Sequence, residues 1–242
     1  DLVTAAFGQY LSPDVVDALV KDPSKMSLGG ESREMTAFFS DVASFSTISE
    51  KLTPGELVGL LNEYLTAMCD IIAESGGTID KFEGDAIIGF WGAPLEQPDH
   101  AVRACYSIID QQKFLVPFRQ EQIDKGWLPV EFTVRMGVNT GMMIVGNMGS
   151  SQRMDYTMMG DAVNLAARLE GANKFYKNHQ MISQSTYEQA KDFIDTRELD
   201  TIRVVGKNEP VTVYDVIDRK NQTSGVMADV VPIYLQGLQK YK

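Results

Sequence analysis

The feature that most constrains this 242-residue chain is a pair of short apolar segments joined by a tight turn, in the stretch TIDKFEGDAIIGFWG (78–92). Both segments are rich in β-branched and aromatic residues, which favour strands. The turn at Glu83-Gly84-Asp85 is short enough to pair them as an antiparallel hairpin. Lys81, Glu83 and Asp85 place one cation and two carboxylates at its tip. A charged tip between two segments that prefer burial marks this hairpin as a candidate for function.

The order of the remaining elements favours an α+β fold. The predicted elements are a strand at 34–41, helices from Ser44 and from the capping box Thr53–Glu56, a helix from about residue 99, a hairpin over 129–149 that turns at 139–141, a helix over 161–176, a strand at 181–183, a helix from Ser185 and two closing strands before residue 218. The resulting order, β-α-α-β-β-α-β and then more strands, differs from the strict alternation of doubly wound folds. It predicts a ferredoxin-like core with extra strands, whose antiparallel sheet carries helices on one face.

Three regions are predicted along the chain. Residues 1–30 form a helical linker, residues 31–218 the globular domain, and residues 219–242 a polar linker with a C-terminal amphipathic helix. No apolar run approaches the roughly 20 residues that a membrane span needs. We therefore expect a chain that is not itself inserted in a membrane.

Charge and cysteine content narrow the function classes. The net charge of −11 argues against a nucleic-acid binder, which needs a basic surface, but it allows a small anionic ligand held by local cations or amides. Two cysteines predict no disulfide framework and a reducing compartment. His100 and His179 stand among polar residues and are predicted to lie at the surface.

Two acidic residues are candidates for metal binding. In FFSDVASFS (38–46) a strand ends at Asp41 and a helix begins directly after it. If this strand neighbours the hairpin, Asp41 and Asp85 lie side by side, which suits Mg²⁺ shared with substrate phosphates. Free amides at the helix start, around 43–45, would suit a phosphate. The alternative is that Asp41 is an N-cap and Asp85 a turn residue.

A polar pair on a later helix is a second candidate. In VNLAAR (163–168), Asn164 and Arg168 are four residues apart and therefore share one helical face. An arginine there can stabilise charge on a pentacoordinate phosphorus. The alternative is a solvated arginine in an ion pair, for example with Glu170.

Four motifs together resemble one known family. FFSDVASFS, GTIDKFEGDAIIGFWG, VRMGVNTG and DYTMMGDAVNLAARLE follow one another in the order and spacing of a class III nucleotidyl cyclase catalytic domain, over residues 31–218. Such enzymes convert ATP into 3′,5′-cyclic AMP and pyrophosphate, or GTP into cyclic GMP. No GxxxxGK[ST] phosphate-binding loop occurs in the sequence.

The resemblance implies a role for each matching position. It implies two Mg²⁺ or Mn²⁺ ions held by Asp41, Asp85 and the carbonyl of Val42. The triphosphate would be bound by the cations Arg135 and Lys207 and by the amides of Ala43, Ser44 and Phe45. Asn164 would orient the ribose, Arg168 would stabilise the transition state, and Asp41 is a candidate proton acceptor.

The hairpin lysine bears on the choice of nucleotide. Lys81 matches the position that reads the purine, together with Asp155 in MDYT. Adenine presents an acceptor at N1 and a donor at N6, which a lysine and an aspartate complement, whereas guanine reverses the pattern. The resemblance therefore implies adenylate cyclase activity, with ATP as substrate.

The resemblance also implies an assembly and a context. Sites in this family lie between two head-to-tail domains, so a homodimer of this chain would hold two equivalent sites. The start at Asp1 rather than methionine and the segment AFGQYLSPDVVDALVKDP predict a fragment of a longer protein with an upstream membrane or sensor module. We expect this domain on the cytoplasmic side.

Other functions remain open at this point. A guanylate cyclase, or a catalytically silent module for nucleotide binding or dimerisation, would share the fold. A palm-type polymerase or diguanylate cyclase would also bind its metal ions with two carboxylates. Those proteins carry a GG-D/E-EF-type tip, where this hairpin reads FEGDA.

Overall fold

The structure is a computed structural model that describes residues 16–17, 20–22, 29–127, 131–203 and 209–241. Most of the predicted N-terminal linker and Lys207 lie outside these residues. Among the described residues, no helix has the length and apolar character needed to cross a bilayer.

An eight-stranded sheet forms the centre of the molecule. Its strands are β1 (Gly29–Val42), β2 (Thr78–Glu83), β3 (Ala86–Trp91), β4 (Val134–Gly149), β5 (Met154–Met159), β6 (Gln180–Ser183), β7 (Ile194–Ile202) and β8 (Val211–Arg219). They lie in the order β2-β3-β1-β4-β6-β8-β7, with β5 paired to β4 beside this path. The pairings are antiparallel except for β4 with β6, which is parallel. The predicted α+β class with an added-strand sheet is confirmed.

Helices pack on both faces of this sheet, not on one. They are α1 (Phe45–Ser49), α2 (Pro54–Glu74), α3 (His100–Asp124), α4 (Asp161–Tyr176), α5 (Gln184–Ala190) and α6 (Val226–Tyr241). Phe38 and Val42 of β1 pack in one core cluster with residues of α2 and α3. Met35 and Ala37, on the alternate face, pack with residues of α4. The one-face prediction is wrong because β1 is apolar on both sides.

The predicted hairpin over 129–149 is instead one continuous strand. β4 pairs with β1 from Val134 to Asn147, straight through the expected turn at 139–141. Tertiary hydrogen bonds satisfy the polar side chains there: Asn139 Nδ2 donates to the Ala162 carbonyl at 2.7 Å, and Thr140 Oγ1 lies 2.8 Å from Thr36 Oγ1. Turn-forming residues thus sit within a strand because helix α4 and strand β1 supply their partners.

His100 belongs to the same buried polar network, which corrects its predicted surface position. Its side chain is buried, and Nδ1 lies 2.7 Å from Thr36 Oγ1. Burial lowers the pKa of His100. His179 is exposed, as expected.

The C-terminal helix contacts the sheet edge. The hydroxyl of Tyr234 in α6 donates to the Leu199 carbonyl in β7 at 3.1 Å. The Arg197 guanidinium lies 5.0 Å from the centre of the Tyr234 ring. The predicted amphipathic helix is therefore present, and it packs against β7.

Helix α4 lies directly against β4 because residue 137 is glycine. A Cβ atom at Gly137 would lie 2.2 Å from the Glu170 backbone nitrogen and 2.4 Å from the Ala166 carbonyl oxygen. Both atoms belong to the helix backbone and cannot move aside by a rotamer change. Gly137 therefore sets the distance between the sheet and the helix that carries Asn164 and Arg168.

We expect Gly137→Ala to lower the free energy of unfolding by about 3 kcal/mol or more, because the added methyl group overpacks a backbone contact. Gly171→Ala, in the same helix, is the matched control, since a Cβ there meets nothing within 4 Å. It should raise stability by up to about 1 kcal/mol, as alanine does in helices. Urea denaturation measures both; equal stability of the two variants would contradict the close α4–β4 contact.

Candidate active site

The two predicted metal ligands lie side by side at one end of the sheet. Asp41 is near the end of β1, and Asp85 is in the turn between β2 and β3. β1 pairs with β3, which brings the two positions together. Asp85 Oδ2 accepts a hydrogen bond from the Val42 amide at 2.8 Å, and the two carboxyl groups are within hydrogen-bonding reach of one another. The N-cap of α1 is Ser44, so Asp41 is not a helix cap.

The electrostatics of this pair suit a hard cation. Burial, and then the adjacent Asp41, raise the pKa of Asp85 to about 6, because both disfavour a second negative charge. Among the described residues, no group of three or more His, Cys, Asp or Glu side chains is placed to hold a metal. A metal at the Asp41–Asp85 pair would thus take its other ligands from main-chain carbonyls, water and substrate, which is how Mg²⁺ usually binds beside phosphates. The residues fit the implied ions.

Arg135 joins the acidic pair to helix α4. It stands opposite Asp41 in the β1–β4 register, and its Nη2 donates to Asp41 Oδ2 at 2.9 Å. Its Nε donates to Glu170 Oε1 at 3.0 Å. Burial raises the pKa of Glu170, and the charge of Arg135 opposes that rise.

Glu170 was not predicted as a site residue. The sequence suggested it as an ion-pair partner of Arg168, but its carboxylate binds Arg135 instead. The available signal was its spacing, since Glu170 lies one turn after Ala166 on the apolar face of the helix. A carboxylate on a buried helix face needs a partner, and Arg135 supplies it.

The start of α1 only partly matches the predicted phosphate-binding amides. Ser44 adopts the left-handed conformation (φ 57°, ψ 31°) as the chain turns from strand to helix. The Ala43 amide already donates to the Thr133 carbonyl at 2.8 Å, so Ala43 does not offer a free N–H to a phosphate. Phe45 packs against the core. The amides of Ser44 and Phe45 remain predicted contacts.

Arg168 of helix α4 has a buried nitrogen that lacks a partner. Its Nη1 makes no hydrogen bond with any of the residues that the structure describes, while Asn164 is exposed one turn earlier. Buried donors are almost always satisfied, so an orphaned guanidinium nitrogen points to a missing partner. Since each helical residue turns about 100°, Arg168 lies roughly 200° around α4 from Glu170. Arg168 therefore faces away from the acidic pair of its own chain.

At the hairpin, Lys81 is linked through Asp80 to Thr157 of β5, whereas the sequence predicted Asp155 as its neighbour. Lys81 Nζ lies 3.6 Å from Asp80 Oδ1. Asp80 Oδ2 in turn accepts the Thr157 hydroxyl at 2.5 Å. Asp155 lies two residues before Thr157, on the same strand, with an exposed side chain. Asp155 stays a prediction, and Asp80 and Thr157 were missed because a contact between β2 and β5 leaves no pattern in either strand.

The fold and the site together are an added-strand α+β sheet with a carboxylate pair where the end of β1 meets the β2–β3 turn. The family described as "Adenylate and Guanylate cyclase catalytic domain" matches residues 30–217. The chain belongs to this family.

Similar proteins include cyclases of both nucleotide types. The chain is 38% identical over 185 residues to "Adenylate cyclase 1" of Rhizobium meliloti, a match that covers 76% of this chain and only 28% of that protein. The adenylyl cyclase CyaB from P. aeruginosa is 39% identical with a TM-score of 0.75, over 82% of this chain and 100% of that structure. The guanylyl cyclase Cya2 is 36% identical with a TM-score of 0.74, over 81% and 97%.

Replacing Asp85 by asparagine should abolish metal binding without lowering the stability of the fold. We expect Asp85→Asn to be at least as stable as the wild type without divalent ions, because the amide still accepts from Val42 and the contact between like charges is gone. Added Mn²⁺ should raise the melting temperature of the wild type by roughly a few degrees and leave the variant unchanged.

Glu83→Gln is the matched control, since Glu83 is exposed two residues away in the same hairpin. It should respond to Mn²⁺ as the wild type does. Differential scanning fluorimetry at several Mn²⁺ concentrations is sufficient. An equal Mn²⁺ shift in Asp85→Asn would remove Asp85 from the metal site.

Proposed function

We propose that this domain is an adenylate cyclase that converts ATP into 3′,5′-cyclic AMP and pyrophosphate. The observation that carries the proposal is the Asp41–Asp85 pair, held against Arg135 in a domain of the cyclase family. A catalytically silent relative would not need to keep two carboxylates in contact, because their repulsion destabilises the fold.

The reaction is an in-line displacement at the α-phosphorus. A bond forms between the ribose 3′-oxygen and the α-phosphorus, the bond to the β-phosphate oxygen breaks, and pyrophosphate leaves with its electron pair. Mg²⁺ or Mn²⁺ held by Asp41, Asp85 and the Val42 carbonyl would supply positive charge to the attacking and leaving oxygens. Asp41 is the candidate acceptor for the 3′-hydroxyl proton.

The remaining residues bind and orient the nucleotide. Arg135 and Lys207 neutralise the triphosphate, with the Ser44 and Phe45 amides contributing hydrogen bonds. Asn164 orients the ribose. The Arg168 guanidinium stabilises the charge that develops on the phosphoryl oxygens. These oxygens would be the hydrogen-bond partner that its buried Nη1 lacks among the described residues of the free chain.

The substrate site is shared between two copies of the chain. Arg168 faces away from Asp41 of its own chain, so the two groups meet only if they come from different subunits. An apolar surface on β4 and β5 supports such a dimer: Met142, Ile144 and Met159 are 58%, 47% and 55% exposed, and Ile144 is paired with Met159. Contiguous exposed apolar side chains of this kind usually mark an interface. A head-to-tail homodimer would hold two equivalent sites.

ATP is favoured over GTP by Lys81, whose ammonium is a donor only. It complements the N1 acceptor of adenine and opposes the N1–H of guanine. The sequence assigns Asp155 as the acceptor for the N6 amine. Guanylate cyclase activity is the second candidate, because the similar structures include a guanylyl cyclase.

Product analysis tests the activity directly. Purified protein incubated with Mg²⁺ or Mn²⁺ should form cyclic AMP and pyrophosphate from ATP, and cyclic GMP from GTP at least about tenfold more slowly. Mass spectrometry identifies the products, and Asp41→Ala serves as the inactive control. Faster conversion of GTP would establish the guanylate alternative, and binding of ATP without any product would establish a silent module.

Complementation between two inactive variants tests the shared site. Asp41→Ala and Arg168→Ala should each be inactive, since every site in either homodimer lacks one essential group. Co-expression makes about half of the dimers mixed, each with one intact site, so about a quarter of wild-type activity should return. Mixed dimers that are demonstrably formed but inactive would show that the two residues do not meet across subunits.

A further inference from the structure

Asp80 is a buried carboxylate at the candidate purine site to which neither the sequence nor the proposed reaction gives a role. The pairing of β2 with β3 shifts register between Ile79 and Lys81, so Asp80 is the extra residue of a β-bulge. A bulge re-aims side chains locally. The Asp80 side chain is only 2% exposed, although it stands on an edge strand.

Its carboxylate is held by groups from two strands. Oδ2 accepts the Thr157 hydroxyl at 2.5 Å, and the carboxylate also accepts from the Met158 amide. Oδ1 lies 3.6 Å from Lys81 Nζ, and within the described part of the chain it has no hydrogen-bond partner. Burial raises the pKa of Asp80, and its contacts with Thr157, Lys81 and Met158 oppose that rise.

These contacts decide which way the Thr157 hydroxyl points. A threonine hydroxyl is normally both donor and acceptor, whereas an ionised carboxylate accepts only. Thr157 must therefore give its proton to Asp80, which leaves its oxygen lone pairs as acceptors for any other group. Lys81, next to Asp80, offers donors only. The surface formed by β2 and β5 thus presents one fixed donor beside one fixed acceptor.

This pattern matches one purine and opposes the other. Adenine carries an acceptor at N1 and a donor at N6, whereas guanine carries a donor at N1 and an acceptor at O6. Facing guanine, Lys81 would meet an N–H and the Thr157 oxygen would meet a carbonyl. If the Thr157 hydroxyl were free to rotate, it would turn to donate to O6 and part of the discrimination would disappear.

We propose that Asp80 is a positioning residue for nucleobase specificity: it holds the Lys81 ammonium and turns the Thr157 hydroxyl into an acceptor, so that the site takes adenine and rejects guanine. This inference rests on the proposed function. It assigns the N6 contact to Thr157, the β5 residue that is joined to Lys81 through Asp80, and not to Asp155. A purely structural role, in which Asp80 only clamps β2 to β5, is the competing explanation.

Specificity ratios separate the two roles. The variants are Asp80→Leu, Thr157→Val and the double variant, with Glu83→Gln as a control for loss of one carboxylate from the same hairpin. For each, kcat/KM for ATP and for GTP is measured, together with equilibrium binding of both nucleotides and the melting temperature. Binding gives the same ratio without turnover, so a chain without cyclase activity would refute the proposed function and still test Asp80.

We expect Asp80→Leu and Thr157→Val each to reduce the ATP-to-GTP ratio by about tenfold, the effect of one hydrogen bond. The double variant should lose little more than either single variant, because Thr157→Val removes the hydroxyl and Asp80→Leu frees it to rotate, so each change abolishes the same fixed acceptor. Glu83→Gln should keep the wild-type ratio.

Equal losses for ATP and GTP in Asp80→Leu, with a lower melting temperature, would overturn the proposal in favour of the clamp. An unchanged ratio in Thr157→Val would also overturn it and return the N6 contact to Asp155. If Asp80→Leu does not fold, Asp80→Asn replaces it. Its neutral amide no longer pairs with Lys81 and can donate to Thr157, so an unchanged ratio there would equally refute the role of Asp80.

Discussion

The whole site depends on the direct contact between the backbone of α4 and strand β4. Gly137 permits this contact, because any side chain there would meet the helix backbone at Ala166 and Glu170. The contact brings the Glu170 carboxylate to Arg135, and Arg135 in turn reaches Asp41. Because residue 137 has no side chain, Glu170, Arg135 and Asp41 can contact one another.

In the proposed dimer, helix α4 would serve two different sites with two of its faces. Its buried face supplies Glu170 to the acidic end of its own chain, whereas Asn164 and Arg168 point the other way. In a head-to-tail dimer the second face would act in the partner's site. A shift of α4 relative to β4 would thus be felt at both sites, since one rigid helix carries groups for each.

The charged residues of β2 combine two physical requirements. β2 is an edge strand, and charged residues such as Lys81 and Glu83 protect an exposed edge from pairing with other chains. The bulge at Asp80 then turns one carboxylate inward, where it contacts β5 and holds Lys81. Edge protection alone explains Glu83, but it does not explain a buried Asp80.

The sequence by itself determined the elements that depend on turn and helix-cap preferences of a few neighbouring residues. The β2–β3 hairpin and the Thr53–Glu56 capping box are found where the pattern predicts them, because turn and cap preferences act over a few residues. The neighbouring positions of Asp41 and Asp85 also followed, given that β1 pairs with β3. Tertiary structure alone decided that residues 139–141 continue a strand, that Glu170 binds Arg135, and that Thr157 contacts Asp80. Each of these joins residues that are far apart in the chain, and such contacts depend on how the helices and strands pack, which no local pattern specifies.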